Sequence, residues 1–205
     1  MDAAIPTGRP RGRRPAGVDT RGAIVTAARA EFAERGYEAA SMRSVARRAG
    51  VDPALVRHYF PDRGELFAVS VLPAAANPVD VAGRVVAGGL PGIGQRLLTE
   101  VLQLWSADDG EGFRAAVGLM AGGVDRPQAL LAYLGRTVFE QIGRLVAPDE
   151  APVRVGLMAS QVAGLLVVRH VIRLEPVASM PVAQLAAFVG PTIDRYLTAP
   201  LPELA

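Results

Sequence analysis

Residues Arg21–Phe67 read RGAIVTAARAEFAERGYEAASMRSVARRAGVDPALVRHYFPDRGELF, and this stretch decides the fold. Ile24, Ala28 and Phe32 recur at steps of four, laying one apolar stripe along a helix that Asp19 or Thr20 can cap and that runs to about Arg35. Gly36 suits the left-handed residue that ends such a helix. Ser41 caps a second helix, to about Arg48, with Val45 and Ala46 turned inward. Ala49-Gly50-Val51 makes a tight turn. Asp52 caps a third helix with Pro53 at its first position, where a missing N–H costs nothing, and that helix ends near Phe60. Pro61-Asp62 starts a fourth, which runs to about Leu72 ahead of Pro73. Three short helices with a glycine turn between the second and third form a helix-turn-helix frame, whose third helix can lie in a major groove with its N-terminal residues at the base edges.

Outward from that frame, residues 1–18 have no apolar period and hold Pro6, Pro10, Pro15, Gly8 and Gly12, so they read as a flexible basic arm. Everything after the frame reads as helix, over 79–88, 93–106, 112–121, 127–146, 152–174 and 181–198. The separators between these segments carry Pro, Gly or Asp. No alternation of the strand type and no fixed-period repeat is present. The expected class is all-α, with an arm over 1–18, a helix-turn-helix domain over 19–70 and a helical effector-binding and dimerisation domain over 71–205.

Half of the 205 residues are hydrophobic, enough for a packed core. There is no cysteine, and His58 and His170 are the two histidines. Disulfides and thiolate metal sites are therefore excluded, and no metal or other cofactor is expected. No Ser/His/Asp set or phosphate-cradling glycine loop is identifiable, and Glu100 and Glu140 stand alone on separate helices, so an enzyme is not expected. The first 18 residues lack the apolar segment of a secretory leader. The charge-free run Val155–Val168 is shorter than the roughly 18–20 residues a bilayer requires and reads as a buried helix. A cytoplasmic protein without a membrane partner is the expectation.

Charge is unevenly spread. Residues 1–70 carry 12 Arg against 8 Asp and Glu, and the remainder carries 10 against 12. All 22 basic residues are Arg. A GC-rich genome explains the absence of Lys as composition bias. Where these side chains meet phosphates or base edges, their planar fork offers paired hydrogen bonds that an ammonium does not.

The frame resembles the DNA-binding domain of the tetracycline-repressor (TetR) family throughout. The landmarks are Ile24, Ala27-Ala28, Phe32, Gly36-Tyr37, Ser41-Met42-Arg43, Val45-Ala46, Ala49-Gly50-Val51, His58-Tyr59-Phe60, Arg63 and Glu65-Leu66-Phe67. The stretch Arg169-His170-Val171 to Leu174-Glu175-Pro176, with Tyr196-Leu197, resembles a regulatory-domain type of actinobacterial members. The resemblance implies DNA contacts at matching positions. Ser41 is a phosphate-facing cap and Arg43 a contact from the second helix. Pro53, Ala54, Leu55, Arg57, His58 and Tyr59 fill contact positions on the recognition helix, and Arg63 grips backbone phosphate. Many members carry Ser-Lys-Gly-Thr-Leu-Tyr where this chain has Asp52-Pro53-Ala54-Leu55-Val56-Arg57, so the usual aromatic phosphate contact becomes Arg57 and the usual hydroxyl becomes Leu55. Operator sequence cannot be borrowed from a relative. Arg57 has two readings, a base reader or a phosphate clamp. Tyr59 and His58 stand between DNA contact and, respectively, core and solvent. Phe60 reads as core, and Arg47 and Arg48 as a solvated face. Arg9, Arg11, Arg13 and Arg14 of the arm either lie in a narrow minor groove or neutralise phosphates without sequence preference.

The last two segments, 152–174 and 181–198, have the length and apolarity of a homodimer interface, and the resemblance implies an intersubunit four-helix bundle built from them. Gly156, Ser160, Ala163 and Gly164 give the first a small-residue face, and Val182, Leu185, Ala186, Val189, Ile193 and Leu197 give the second a stripe. Candidate pocket residues are Leu102, Trp105, Phe113, Met120, Tyr133, Phe139, Met158 and Gln161, with Arg169 either a structural pairing residue or a contact for an anionic effector. The expected protein is a ligand-responsive DNA-binding transcriptional regulator. It is read as a repressor that holds a near-palindromic double-stranded operator as a dimer and is released by a small molecule. An activator of the same fold, and a helical module that binds small molecules or proteins but no DNA, are the alternatives.

Overall fold

A computed structural model describes residues 19–73, 76–107, 110–121, 123 and 125–202, and the arm arginines Arg9, Arg11, Arg13 and Arg14 lie outside them. The described residues form helices and no strand. α1 (Thr20–Ala39) starts where the Asp19 carboxylate accepts from the Gly22 N–H at 2.8 Å. It bends at Gly36, where φ is +75°, a value that favours glycine. Ser41 and Ser44 cap α2 (Met42–Ala49) reciprocally, each hydroxyl accepting the other residue's N–H. Gly50 closes α2 in the left-handed region, and Asp52 and Pro53 open α3 (Pro53–Tyr59). Asp62 caps α4 (Arg63–Val71) through the Glu65 N–H. Every helix start read from the sequence in this part thus has its capping partner.

Ile24, Ala28 and Phe32 are buried against Val45, Val56, Phe60 and Phe67, and Phe32 and Phe67 meet edge to face at 5.1 Å. One charged group sits in this packing. Glu31 is buried, with the Arg35 and Arg48 Nε atoms each 3.0 Å away, and Arg48 also pairs with Glu34. Arg48 is exposed, as the reading of it as a solvated face expects, but through these pairs it also fastens α2 to α1. Arg47 is exposed as expected.

The remaining helices are α5 (Pro78–Val86), α6 (Ile93–Ser106), α7 (Glu111–Met120), α8 (Asp125–Leu134), α9 (Glu140–Gly143), α10 (Ala151–Leu166) and α11 (Val182–Thr198). Gly135–Phe139 joins α8 to α9 as π-helix, and Val167–Ile172 extends α10 the same way. Two segments read as plain helices are therefore rods with π-helical turns in them.

α6 and α11 pack most intimately. A Cβ on Gly94 would collide with the Gly190 carbonyl oxygen, and one on Gly190 would stand 2.7 Å from the Gln95 nitrogen. This approach lets the Asp194 carboxylate accept the Gly94 N–H at 2.7 Å, near the start of α6 where Gly92 has no capping side chain. Leu185, Ala186, Ile193 and Leu197 are buried in this packing, so the stripe read as a dimer face serves the chain's own core. The outward side of α11 shows Ala183, Ala187 and Phe188 instead. α10 is likewise buried on one side only, through Val155, Met158, Leu165 and Leu166, while Gly156, Ser160, Ala163 and Gly164 are exposed. The reading of Val155–Val168 as a buried helix holds for half its circumference.

Arginines close helix ends throughout. Arg29 of α1 donates to the Ser70 and Leu72 carbonyls at the end of α4, and Arg96 to the Val85, Gly89 and Pro91 carbonyls at and beyond the end of α5. Buried Arg154 donates to the Tyr196 and Ala199 carbonyls at the end of α11 and pairs with Glu150. Unsatisfied carbonyls concentrate at helix C-termini, and a guanidinium with five donors can take several at once. The rod Ala151–Ile172, with mean hydropathy 1.6, is long and apolar enough to cross a membrane by length and composition alone. Arg154 and Arg169 lie within it, and both are committed to carbonyls of this chain.

Candidate nucleic-acid interface and effector domain

α3 is anchored by Val56 and Phe60, both fully buried, so its opposite side is fixed outward. That side carries Pro53, Ala54, Arg57, His58 and Tyr59, all exposed, with Leu55 half-buried. Tyr59 is therefore not core, and its ring lies 5.3 Å from that of His58. Exposed Ser41 and Arg43 at the start of α2 complete the surface. Arg57 and Arg43 make no ion pair among the described residues, whereas Arg35, Arg48 and Arg63 do. Arg63 is half-exposed, stacks 4.2 Å above the Tyr37 ring, donates to the Tyr37 and Glu38 carbonyls and lies 3.6 Å from the Glu38 carboxylate.

The interface connects to the rest of the chain through α4, which packs on α1 and on α8. A Cβ on Gly64 would already touch that of Ala129. Around this contact sits a polar group that sequence reading missed as a set. Arg21 lies over the Phe60 ring at 5.2 Å and beside the buried Tyr133 hydroxyl. Glu65 of α4 pairs with Arg136, in the π-helical stretch, at 3.1 Å. Burial pushes the Tyr133 phenol above its ordinary 10.0, and the Glu65 charge adds to this while Arg21 and Arg136 oppose it. Glu65 was legible as a landmark and Tyr133 as an aromatic. Nothing in their spacing shows that they meet.

Of the expected pocket residues, Leu102, Trp105, Phe113, Tyr133 and Met158 are buried, and Met120 and Gln161 half-buried. Trp105 and Phe113 pack edge to face at 5.2 Å, and Phe113 lies 5.7 Å from the His170 ring. Arg169 donates to the Val177 and Met180 carbonyls at 2.8 Å, the structural member of its two readings. Phe139 alone of the nine lines an open groove of about 850 Å³ between the π-helical stretch, α9 and the start of α10. A second cleft, about 410 Å³, lies along α6 between Arg84, Arg96 and Glu100. Its cations are already engaged, Arg84 with Glu100 at 2.8 Å and Arg96 with backbone carbonyls. Among the described residues, no group of three or more His, Asp or Glu could hold a metal ion.

Two family descriptions match the chain. "Bacterial regulatory proteins, tetR family" covers residues 24–69, and "Tetracyclin repressor-like, C-terminal domain" covers residues 92–197. Among solved structures, a TetR-family regulator from Streptomyces coelicolor A3 is 33% identical, with 91% of this chain and 98% of that chain covered and a TM-score of 0.63. NalD, the secondary repressor of the MexAB-OprM multidrug efflux pump in Pseudomonas aeruginosa, is 22% identical over 88% of this chain and 96% of its own, with a TM-score of 0.50, and shares the fold. No curated protein matches.

Proposed function

From the premise that the chain belongs to the tetR family of bacterial regulatory proteins, we propose that it is a ligand-responsive transcriptional repressor that holds a near-palindromic operator as a homodimer and releases it when a small molecule occupies the C-terminal domain. The observation that carries the reading is α3, whose buried Val56 and Phe60 fix an outward surface of Pro53, Ala54, Arg57, His58 and Tyr59. Arg57 has the length and the fork to take G O6 and N7 in a major groove. Arg43 reaches the same groove from α2, while Ser41 and Arg63 hold phosphates beside it. The arm arginines Arg9, Arg11, Arg13 and Arg14 act on the backbone or the minor groove.

The partner surface in this proposal is the outward side of α10 and α11, where exposed Leu157, Ile172 and Phe188 flank the small residues Gly156, Ser160 and Gly164. A soluble chain rarely leaves such an apolar face to water. The effector acts on the C-terminal domain, where Trp105, Phe113 and Tyr133 are buried. A DNA-reading role places the protein in the cytoplasm, with no membrane partner. The test is enrichment of duplexes from a random pool, then binding to the selected site and its isolated half. A two-fold symmetric site bound by two chains is expected. Retention of DNA without sequence preference at every salt concentration defeats the reading.

A further inference from the structure

The groove against the π-helical stretch combines an apolar lining with charged side chains at its edge. Its lining is mainly apolar, through Ala132, Phe139, Val146 and Val155, and it forms an open groove of about 850 Å³. Arg136 and Arg144 stand on its rim with Glu140, the one acid among its lining residues, and Glu65 of α4 pairs with Arg136 from beside the groove. The Arg144–Glu140 pair is loose, at 3.9 Å, and both side chains are largely exposed. π-helical turns are rare and concentrate at functional positions, and here the turn presents both Arg136 and Phe139 to the groove.

Arg136 is also the cation that pairs with Glu65 of α4, three residues from the Asp62 cap that ends the recognition unit. We propose that this groove is an effector site for an amphipathic organic anion, whose apolar body lies on Phe139 and Val155 and whose acid group takes Arg136 from Glu65. The inference rests on the ligand-responsive reading above and adds a location, a ligand class and a switch. With Arg136 withdrawn, the Glu65 charge is left near the Tyr133 hydroxyl, which Arg21 also approaches. Arg21 lies over Phe60, the buried residue that closes α3. Losing the charge pair between α4 and the π-helical stretch therefore alters the support of the recognition helix. The switch needs no direct contact between ligand and DNA-binding unit, only a difference in ligand affinity between the two arrangements.

The test uses the full chain and three probes of one length: decanoate, neutral decanol and cationic decyltrimethylammonium. Binding is read by calorimetry, operator affinity by titration of the selected duplex, and folding by thermal melting. Decanoate is expected to bind at least about tenfold more tightly than the other two, as a charge-assisted bond to Arg136 implies. R136Q removes that preference. G143L fills the groove, because a Cβ on Gly143 already points at Ala151 and Val155 at 3.6 and 3.9 Å, and it weakens decanoate and decanol together. E65Q removes the competitor, so it tightens decanoate and lowers ligand-free operator affinity. Undetectable decanoate binding at millimolar concentration overturns the proposal. So does binding that ignores R136Q and G143L in folded variants, or an E65Q variant with unchanged decanoate affinity. A different compound that releases operator equally from wild type, R136Q and G143L overturns the groove while the regulator reading stands. Intact operator binding that no compound in a broad screen releases overturns both.

Discussion

At the scale of single residues, arginines divide by whether the fold has already engaged them. Arg29, Arg96 and Arg154 are held by carbonyls and Arg48 by two glutamates, whereas Arg57 faces solvent from a helix whose other side is locked. R57A is expected to weaken the selected operator by about 1–3 kcal/mol and to relax preference at one base pair in each half-site. A phosphate clamp predicts a uniform loss instead, so a panel of single-base operator changes at two salt concentrations separates the roles. R48A acts on stability, because it takes one of two cations from a buried carboxylate. A loss of about 1–3 kcal/mol in denaturant unfolding is expected, with operator preference unchanged among folded molecules. Acid stability has its own residue. The bidentate Arg84 guanidinium holds the Glu100 carboxyl below its ordinary 4.5. A carboxylate depressed in the folded state contributes stability above its unfolded value and loses it as pH falls through the folded value. E100Q is therefore expected to be less stable than wild type at neutral pH, with the two unfolding curves converging below pH 4.5. A constant gap across that range would remove the assignment.

At the scale of elements, what the sequence showed and what it hid have a common physical reason. Helix starts were legible because caps are local chemistry: Asp19, Ser41, Asp52 and Asp62 each bond an N–H two or three residues away. The α3 contact positions came from the family resemblance, which left Tyr59 between DNA contact and core, and the buried Val56 and Phe60 fix how they face. The π-helical stretches were not, because one added residue per turn leaves the composition of a helix unchanged and merely displaces its stripe. The side of α11 was misread because apolar spacing marks a face without naming its partner, and α6 of the same chain claimed it. The Glu65–Arg136 and Arg21–Tyr133 contacts join residues far apart in sequence and leave no local signal. Glycines test the corrected assignment. G190A puts a methyl 2.7 Å from the Gln95 nitrogen, and overpacking two helix backbones is expected to cost about 1–3 kcal/mol of unfolding free energy. A Cβ on Gly164 meets nothing within 4 Å, so G164A should leave the single chain's fold intact or stabilise it by up to about 1 kcal/mol through helix propensity. Equal destabilisation by the two substitutions in a monomeric sample would contradict the packing.

At the scale of the whole molecule, a single chain leaves large apolar side chains uncovered. Phe188 of α11 is 64% exposed and Ile172, in the π-helical extension of α10, 62% exposed. One chain carries one recognition helix, and two of them can engage successive major grooves only if a symmetric pairing sets them roughly 34–36 Å, or a multiple of it, apart. Dimer formation and full-site affinity are therefore one property measured twice. F188D tests this with little risk to the fold, because the ring it removes contributes almost nothing to the chain's own core. Light scattering is expected to show a shift from dimer to monomer, while thermal unfolding of the isolated chain stays close to that of wild type. Affinity for the two-fold symmetric operator should fall to that for an isolated half-site, with the base preference within the half-site preserved because α3 is untouched. The loss should shrink at high protein concentration, where mass action restores the pair. An F188D protein that remains dimeric and binds the full site as wild type does would place the partner surface elsewhere on the molecule. A monomer that still binds the full operator tightly would instead remove symmetric pairing from the account of how this chain reads DNA.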